Sequence, residues 1–159
     1  MTGTAEIQLR DMTVEDSDLS YRLFVTSRED DVLYLPLPPA EKERFLREQF
    51  DMQHRFYHEH FAGASYQVVE RDGVPVGRLY LHRQPDHILV IDIALLPEWR
   101  GAGIGSLLMG DIMREAAESG RAVRLHVERF NRALKLYERL GFRPIEDHGI
   151  YLFLEWLPG

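Results

Sequence analysis

Apolar and polar positions alternate over Ala5–Asp11, and this period of two predicts a first strand. Within Val14–Arg28, Leu19, Leu23 and Phe24 fall at helical spacing and predict a helix. Asp31–Pro39 breaks the pattern, and Pro36, Pro38 and Pro39 favour extended backbone, so a loop is expected there. From Ala40 to His60 the residues Phe45, Leu46, Phe50, Phe56 and Tyr57 recur near a 3.6 period, which predicts a long amphipathic helix.

After Gly63, the stretches Ser65–Arg71 and Val74–His82 flank Asp72-Gly73, a hairpin signal because both residues tolerate positive φ. Ile88–Leu95 is continuously apolar except at one acid, as suits a strand covered on both faces. Beyond Pro97 and a run of glycines, Ile104, Leu107, Leu108, Ile112 and Ala116 predict a helix ending near Gly120. Val123–Val127 reads as a strand, Asn131–Leu140 as a short helix closed by Gly141, and Phe142–Glu146 with Ile150–Trp156 as a last hairpin. The order is β-α-α-β-β-β-α-β-α-β-β, an α/β (α+β) chain without repeats or linkers, so residues 1–159 are expected to form one domain.

Composition narrows the function. Hydrophobic residues at 45% and charged residues at 28% describe a folded globular protein rather than a disordered one. A formal net charge of -7 argues against nucleic acid or an anionic membrane as partner, and mildly favours a cationic one. No apolar run approaches the ~20 residues of a membrane helix, and Met1–Arg10 has no secretory pattern, so a cytoplasmic location is expected. The absence of cysteine excludes disulfide scaffolds, thiol nucleophiles and cysteine-ligated metals.

The chemistry concentrates in Pro97-Glu98-Trp99-Arg100-Gly101-Ala102-Gly103-Ile104-Gly105, between a buried strand and a helix. First-turn amides have no intrahelical partners, the helix dipole favours an anion there, and glycines without Cβ admit close approach of phosphate oxygens. A dinucleotide fingerprint would need glycine at Ser106, and a P-loop would need Gly-Lys-Ser/Thr; both fail. Taken alone, the glycines are also compatible with a tight strand-to-helix turn.

A second motif follows the next strand. Arg100-x-x-Gly103-x-Gly105, then Asn131-x-Ala133-x-x-x-Tyr137-x-x-x-Gly141-Phe142, resembles the GNAT superfamily of acyl-CoA-dependent N-acyltransferases. The residue-level match covers Ile88–Phe142, while the first sixty residues match in element order only. The resemblance implies a splayed mixed β-sheet with helices on both faces and acetyl-CoA between the strands Ile88–Leu95 and Val123–Val127. It implies that backbone groups of Ala94 and Leu95 bond the pantetheine arm. Amides of Arg100, Gly101, Ala102, Gly103, Ile104 and Gly105 would hold the pyrophosphate, with Asn131 on the cofactor arm and Tyr137 near the thioester sulfur.

An amine attacking a thioester builds charge on the carbonyl oxygen, which the Leu95 N–H could stabilise, and then on sulfur, which a phenol can protonate. Tyr137 is thus expected to be the general acid. For the base, Asp92 comes first, as a lone acid in an apolar strand; a solvent-facing or arginine-paired acid is its other reading. Strand alternation sets Asp92 and Ala94 opposite Ile91 and Ile93. His126 and Glu128, on the polar face of their strand, are further base candidates.

His54, His58 and His60 lack a third ligand group at recognisable spacing, so no metal is expected. Arg129, Arg132, Lys135, Arg139 and Arg143 form a basic run, expected mostly to pair with Glu128 and Glu138 while leaving one cation for the CoA 3′-phosphate. By resemblance, Tyr34, Leu35, Leu37, Gln53, Phe56 and Tyr57 lie where an acceptor pocket would be. The expected activity is acetyl transfer from acetyl-CoA to a primary amine of a small molecule or protein, the alternative being a catalytically silent CoA-binding module. Acetyl-CoA and an amine acceptor are the expected partners, with no nucleic acid and no membrane; a homodimer stays open.

Overall fold

A computed structural model describes residues 6–28 and 35–159. The strands are β1 (Ile7–Asp11), β2 (Ser65–Arg71), β3 (Val74–Arg83), β4 (His87–Leu95), β5 (Ala122–Glu128), β6 (Arg143–Asp147) and β7 (Tyr151–Trp156). The helices are α1 (Ser17–Ser27), α2 (Pro39–His60), α3 (Ile104–Ser119) and α4 (Ala133–Arg139), with 3-10 turns at Val14–Asp16 and Pro97–Trp99. Hydrogen-bonded strand order is β1-β2-β3-β4-β5-β7-β6. The sheet is mixed: β4 and β5 run parallel, whereas β1/β2, β5/β7 and β6/β7 are antiparallel. Ala5, in the expected first strand, and residues 31–34 of the expected loop, Tyr34 among them, lie outside the described residues.

Contacts gather into two compact units, one holding residues up to Leu79 with Ala94–Arg100, the other Tyr80–Ile93 with Gly101–Gly159. In the first unit, the expected single helix over Val14–Arg28 is divided into a 3-10 turn and α1. Thr13 and Asp16 form a reciprocal capping box, which satisfies amides that the helix start leaves over. Asp16 also binds the Arg10 guanidinium at 2.9 Å, and Arg10 reaches Glu70 at 3.0 Å, so the turn is tied to β1 and β2. Hydrogen bonding to Arg10 pulls the buried Asp16 carboxyl down from 3.8 to about 2.

The β2–β3 turn adopts the double positive φ that Asp-Gly allows, 50° at Asp72 and 81° at Gly73. The Asp72 carboxylate accepts from the Glu6 amide at 2.8 Å, which holds the turn against the start of β1. At Gly77 a Cβ would collide with the Ala94 carbonyl and the Leu95 side chain, so two backbones approach there as only glycine permits. Phe50 of α2 packs edge-on against Tyr21 and Phe24 of α1, with ring centroids 5.4 and 5.6 Å apart. Of α2, however, only Leu46 is fully buried. Phe45 and Phe56, expected in one apolar face, are 41% and 49% exposed.

In the second unit, α3 buries Ile104, Leu108, Met109, Ile112 and Ala116. Each large apolar side chain so buried contributes about 1.5–3 kcal/mol relative to exposure. Gly120 ends α3 at φ 68°, and the Arg121 amide closes onto the Ala116 carbonyl at 2.8 Å. On β5, Val123, Leu125 and Val127 are buried, whereas His126 and Glu128 are exposed. α4 starts two residues later than the spacing predicts: its N-cap position is Arg132, and Asn131 precedes it in a turn closed by the Ala133 amide donating to Asn131 Oδ1 at 2.8 Å.

Candidate active site

The parallel pairing of β4 and β5 begins at His87↔Ala122 and stops at Val90↔Leu125, although β4 continues past Asp92 and β5 reaches Glu128. Strands that part while both continue open a wedge in which a third extended chain can place its own hydrogen-bonding groups. On its other side β5 stays paired to β7 from Val123↔Trp156 to Glu128↔Tyr151. The divergence therefore lies between β4 and β5.

Two candidate residues stand just past that point, on opposite faces. Ile88 and Val90 of β4 and Val123 and Leu125 of β5 share the buried face. Alternation carries Asp92 to the face of Val90 and turns His126 away from that of Leu125. Tyr137 of α4 lies on the Asp92 side: burial, then the nearby Asp92 carboxylate, push its phenol from 10 up to about 12. The ring, 6% exposed, packs 5.8 Å from Phe142, whose amide bonds the Tyr137 carbonyl at 3.0 Å. Gly141, at φ 99°, makes that return of the chain possible.

His126 is stacked on Phe153 with ring centroids 4.3 Å apart, as their opposed positions in the β5–β7 register require. Desolvation, then the field of His148, lowers its pKa below 6.5, so its imidazole is neutral at pH 7. Glu128 accepts from the Tyr151 hydroxyl at 3.5 Å. Phe153 and Tyr151 did not emerge from the sequence as site residues. Their alternation was legible, but only the β5–β7 register selects which β7 side chains meet His126 and Glu128.

At the glycine turn, Gly101 and Gly103 take φ of 75° and 84°, so their backbone demands glycine. Gly105 does not: its φ is ordinary, and an added Cβ would meet nothing within 4 Å. A glycine in a helix is unfavourable by about 0.5–1 kcal/mol against alanine, and neither backbone nor packing explains it here. No side chain caps α3 and no acid stands in its first turn, which leaves Ile104 and Gly105 amides to an anion. Ile104 itself buries its side chain, and Ala102 bridges the two left-handed glycines.

The other expected residues fall elsewhere. In the first unit, Ala94 and Leu95 end β4 and Arg100 Nε donates to the Leu95 carbonyl at 3.1 Å. Gln53 accepts from Arg78 at 3.3 Å, while Leu37 is 37% exposed. His54 and His58 rings stand 4.3 Å apart, and His58 stacks on Tyr66; among the described residues no cluster of three metal-ligating side chains occurs. The basic run does not pair as expected. Arg129 binds Asp147 at 2.6 Å rather than Glu128, and Arg132, Lys135, Arg139 and Arg143 are exposed and form no ion pair among the described residues. Glu138 is likewise exposed, where an ion pair gains little over solvation.

Comparison with known proteins agrees with this geometry. Residues 20–142 match the family model described as the acetyltransferase (GNAT) family. A 62-residue stretch is 36% identical to the [Ribosomal protein bS18]-alanine N-acetyltransferase of Haemophilus influenzae; it covers 38% of this chain and 42% of that protein, so the chain spans about two fifths of the length of this curated relative. Among solved structures, the chain is similar to the PaiA N-acetyltransferase of Thermoplasma acidophilum in complex with coenzyme A, at TM-score 0.69 and 17% identity over 96% of this chain and 99% of that one. It is also similar to the histone acetyltransferase HPA2 and related acetyltransferase of Corynebacterium glutamicum, at TM-score 0.64 and 23% identity over 96% of each chain. At these identities the structural likeness is one of fold. No helix among the described residues is long and apolar enough to cross a membrane.

Proposed function

The chain belongs to the GNAT family, and from that premise we propose that it is an acyl-CoA-dependent N-acyltransferase that transfers acetyl from acetyl-CoA to a primary amine of a small molecule or protein in the cytoplasm. The observation that carries this reading is the parting of β4 and β5 at Val90 and Leu125, with Asp92 and Tyr137 on one face and His126 on the other. A thioester in that wedge meets an acid from one side and an amine from the other. Bound acetyl-CoA supplies the activated acyl group.

The chain's own residues then divide the work. Amides from Gly101 to Gly105 hold the pyrophosphate, with α3 lending its dipole, whereas the expected Arg100 amide is already bonded to the Pro97 carbonyl at 3.2 Å; the exposed cations of α4 favour the remaining phosphate. Backbone groups of Ala94 and Leu95 orient the pantetheine arm, and the Leu95 N–H stabilises charge on the carbonyl oxygen. Asn131 Oδ1 accepts from the Ala133 amide, so its contribution to the cofactor arm is to fix the turn that leads into the helix of Tyr137. Tyr137 protonates the departing sulfur. Asp92 keeps that phenol protonated and is a positioning residue rather than the base of the first expectation, since it sits beside the acid. His126, neutral at pH 7 and on the opposite face, takes the proton of the incoming amine.

The test is thiol release from acetyl-CoA against a panel of primary amines, beside calorimetric titration with CoA. Acceptor-dependent thiol release establishes the transferase. CoA binding without thiol release for any acceptor would replace it by a CoA-binding module, and no CoA binding would remove the cofactor site altogether.

A further inference from the structure

Helix α2 carries two apolar stripes, and the first unit uses one of them. Leu46, Phe50, Gln53 and Tyr57 lie along one side; Leu46 is buried and Phe50 packs on α1. About a quarter-turn away run Phe45, Met52 and Phe56, spaced seven and four residues apart, which aligns them along the helix. They are 41%, 54% and 49% exposed, Phe56 with one ring face stacked on His60 of the same helix at 4.0 Å and its edge near Phe61. Gln49 stands between them, Lys42 and Glu59 lie at the two ends, and Glu48 and Arg55 border the outer edge. A helix of 22 residues extends about 33 Å, enough for a side-by-side helix pair with several layers.

The charges along this stripe identify what covers it. Laid antiparallel against a copy of itself, with Phe45 opposite Phe56 of the second copy, the stripe sets Met52 opposite Gln49 and Lys42 opposite Glu59. Each pair occurs twice by symmetry, and Glu48 falls beside Arg55 of the second copy on the same flank. Aromatic layers are thus enclosed by opposite charges at both ends and along the edge. A parallel arrangement would instead oppose Lys42 to Lys42 and Glu59 to Glu59, which is repulsive. We propose that α2 is a self-association face, and that two copies of this chain pair through an antiparallel α2–α2 contact centred between Gln49 and Met52.

Sedimentation of the full chain tests the pairing independently of any acetyl transfer. The parent is expected to sediment at twice the chain mass, and Met52→Glu, an exposed substitution, as a folded monomer whose thermal transition no longer depends on protein concentration. Lys42→Glu and Glu59→Lys should each weaken the dimer at least tenfold, because each places like charges opposite one another. An equal mixture of those two variants should recover a dimer, since every opposed pair in the mixed species is again of opposite sign. A parent that stays monomeric at all concentrations overturns the proposal and leaves the stripe to a partner of other sequence. A Met52→Glu protein that remains dimeric, or a mixture that does not recover association, overturns it as well.

Discussion

Asp92 and Tyr137 share one face of the sheet where β4 parts from β5, and the carboxylate adds to burial in holding the phenol at about 12. A phenol so placed remains protonated across the whole neutral range, as a general acid must before each turnover. The pair links a strand residue to a helix residue 45 positions later in the chain.

Replacing Tyr137 by Phe keeps the ring against Phe142 and removes the proton. Turnover should fall about 10²–10⁴-fold, with the Kd for acetyl-CoA near that of the parent. Steady-state kinetics beside calorimetry separates the two, and equal turnover would take Tyr137 out of the chemistry.

Asp92→Asn should lower the Tyr137 pKa from about 12 while leaving it above 10, because burial, the larger cause, remains. The difference tyrosinate titration between Asp92→Asn and its Tyr137→Phe double variant isolates this phenol among seven tyrosines. In the parent the raised pKa supplies stability that is full below 10 and lost as pH rises towards 12. An unchanged titration would deny Asp92 its electrostatic role.

Gly105→Ala is the informative change in the glycine turn. Helix propensity should raise stability by about 0.5–1 kcal/mol, while the new methyl stands over the amides and weakens CoA binding. Opposite signs in the thermal midpoint and in affinity would locate the anion at this turn. Gly103 serves less well, since any side chain at φ 84° strains the backbone before it meets a ligand.

His126 should govern the acidic limb of kcat/KM. Its pKa is lowered below 6.5, so the rate is expected to fall only as pH drops through that lower value, and His126→Gln should abolish the limb. A limb that persists in the variant at the same pH would assign it to another group.

Asp16 anchors the start of α1 to β1. Its carboxyl, depressed from 3.8 to about 2, contributes stability that is complete above 3.8 and lost as pH falls through about 2. Arg10 is 38% exposed, so solvent screening reduces the effect; Asp16→Asn should cost about 1–2 kcal/mol at neutral pH. Urea titrations at neutral and acid pH measure it, and no loss at neutral pH would show the ion pair to be fully screened.

Element order was written in local patterns. The 2.0 and 3.6 periods, Asp72-Gly73 and the punctuating glycines specify strands, helices and turns through interactions a few residues apart. The same holds for Gly101 and Gly103, whose positive φ belongs to the turn itself. Tyr137 could be singled out because its helix follows a glycine turn in the order of a known family.

Long-range pairing decided what local pattern left open. Periodicity placed Phe45 and Phe56 on an apolar helix face, but whether that face is covered depends on what packs there, and here they stay exposed. The basic run could be counted in the sequence, yet Arg129 turned to Asp147 across the β6–β7 turn rather than to its neighbour Glu128. Asp92 and His126 were both legible as candidate bases from composition alone. Only the tertiary structure set them on opposite faces and put one beside Tyr137, because the side a strand residue presents depends on register and on where a ladder ends. The sequence by itself determined the elements and the chemistry they carry, since these follow from nearest neighbours. The folded chain alone decided which of those groups meet, since that follows from pairings between residues far apart.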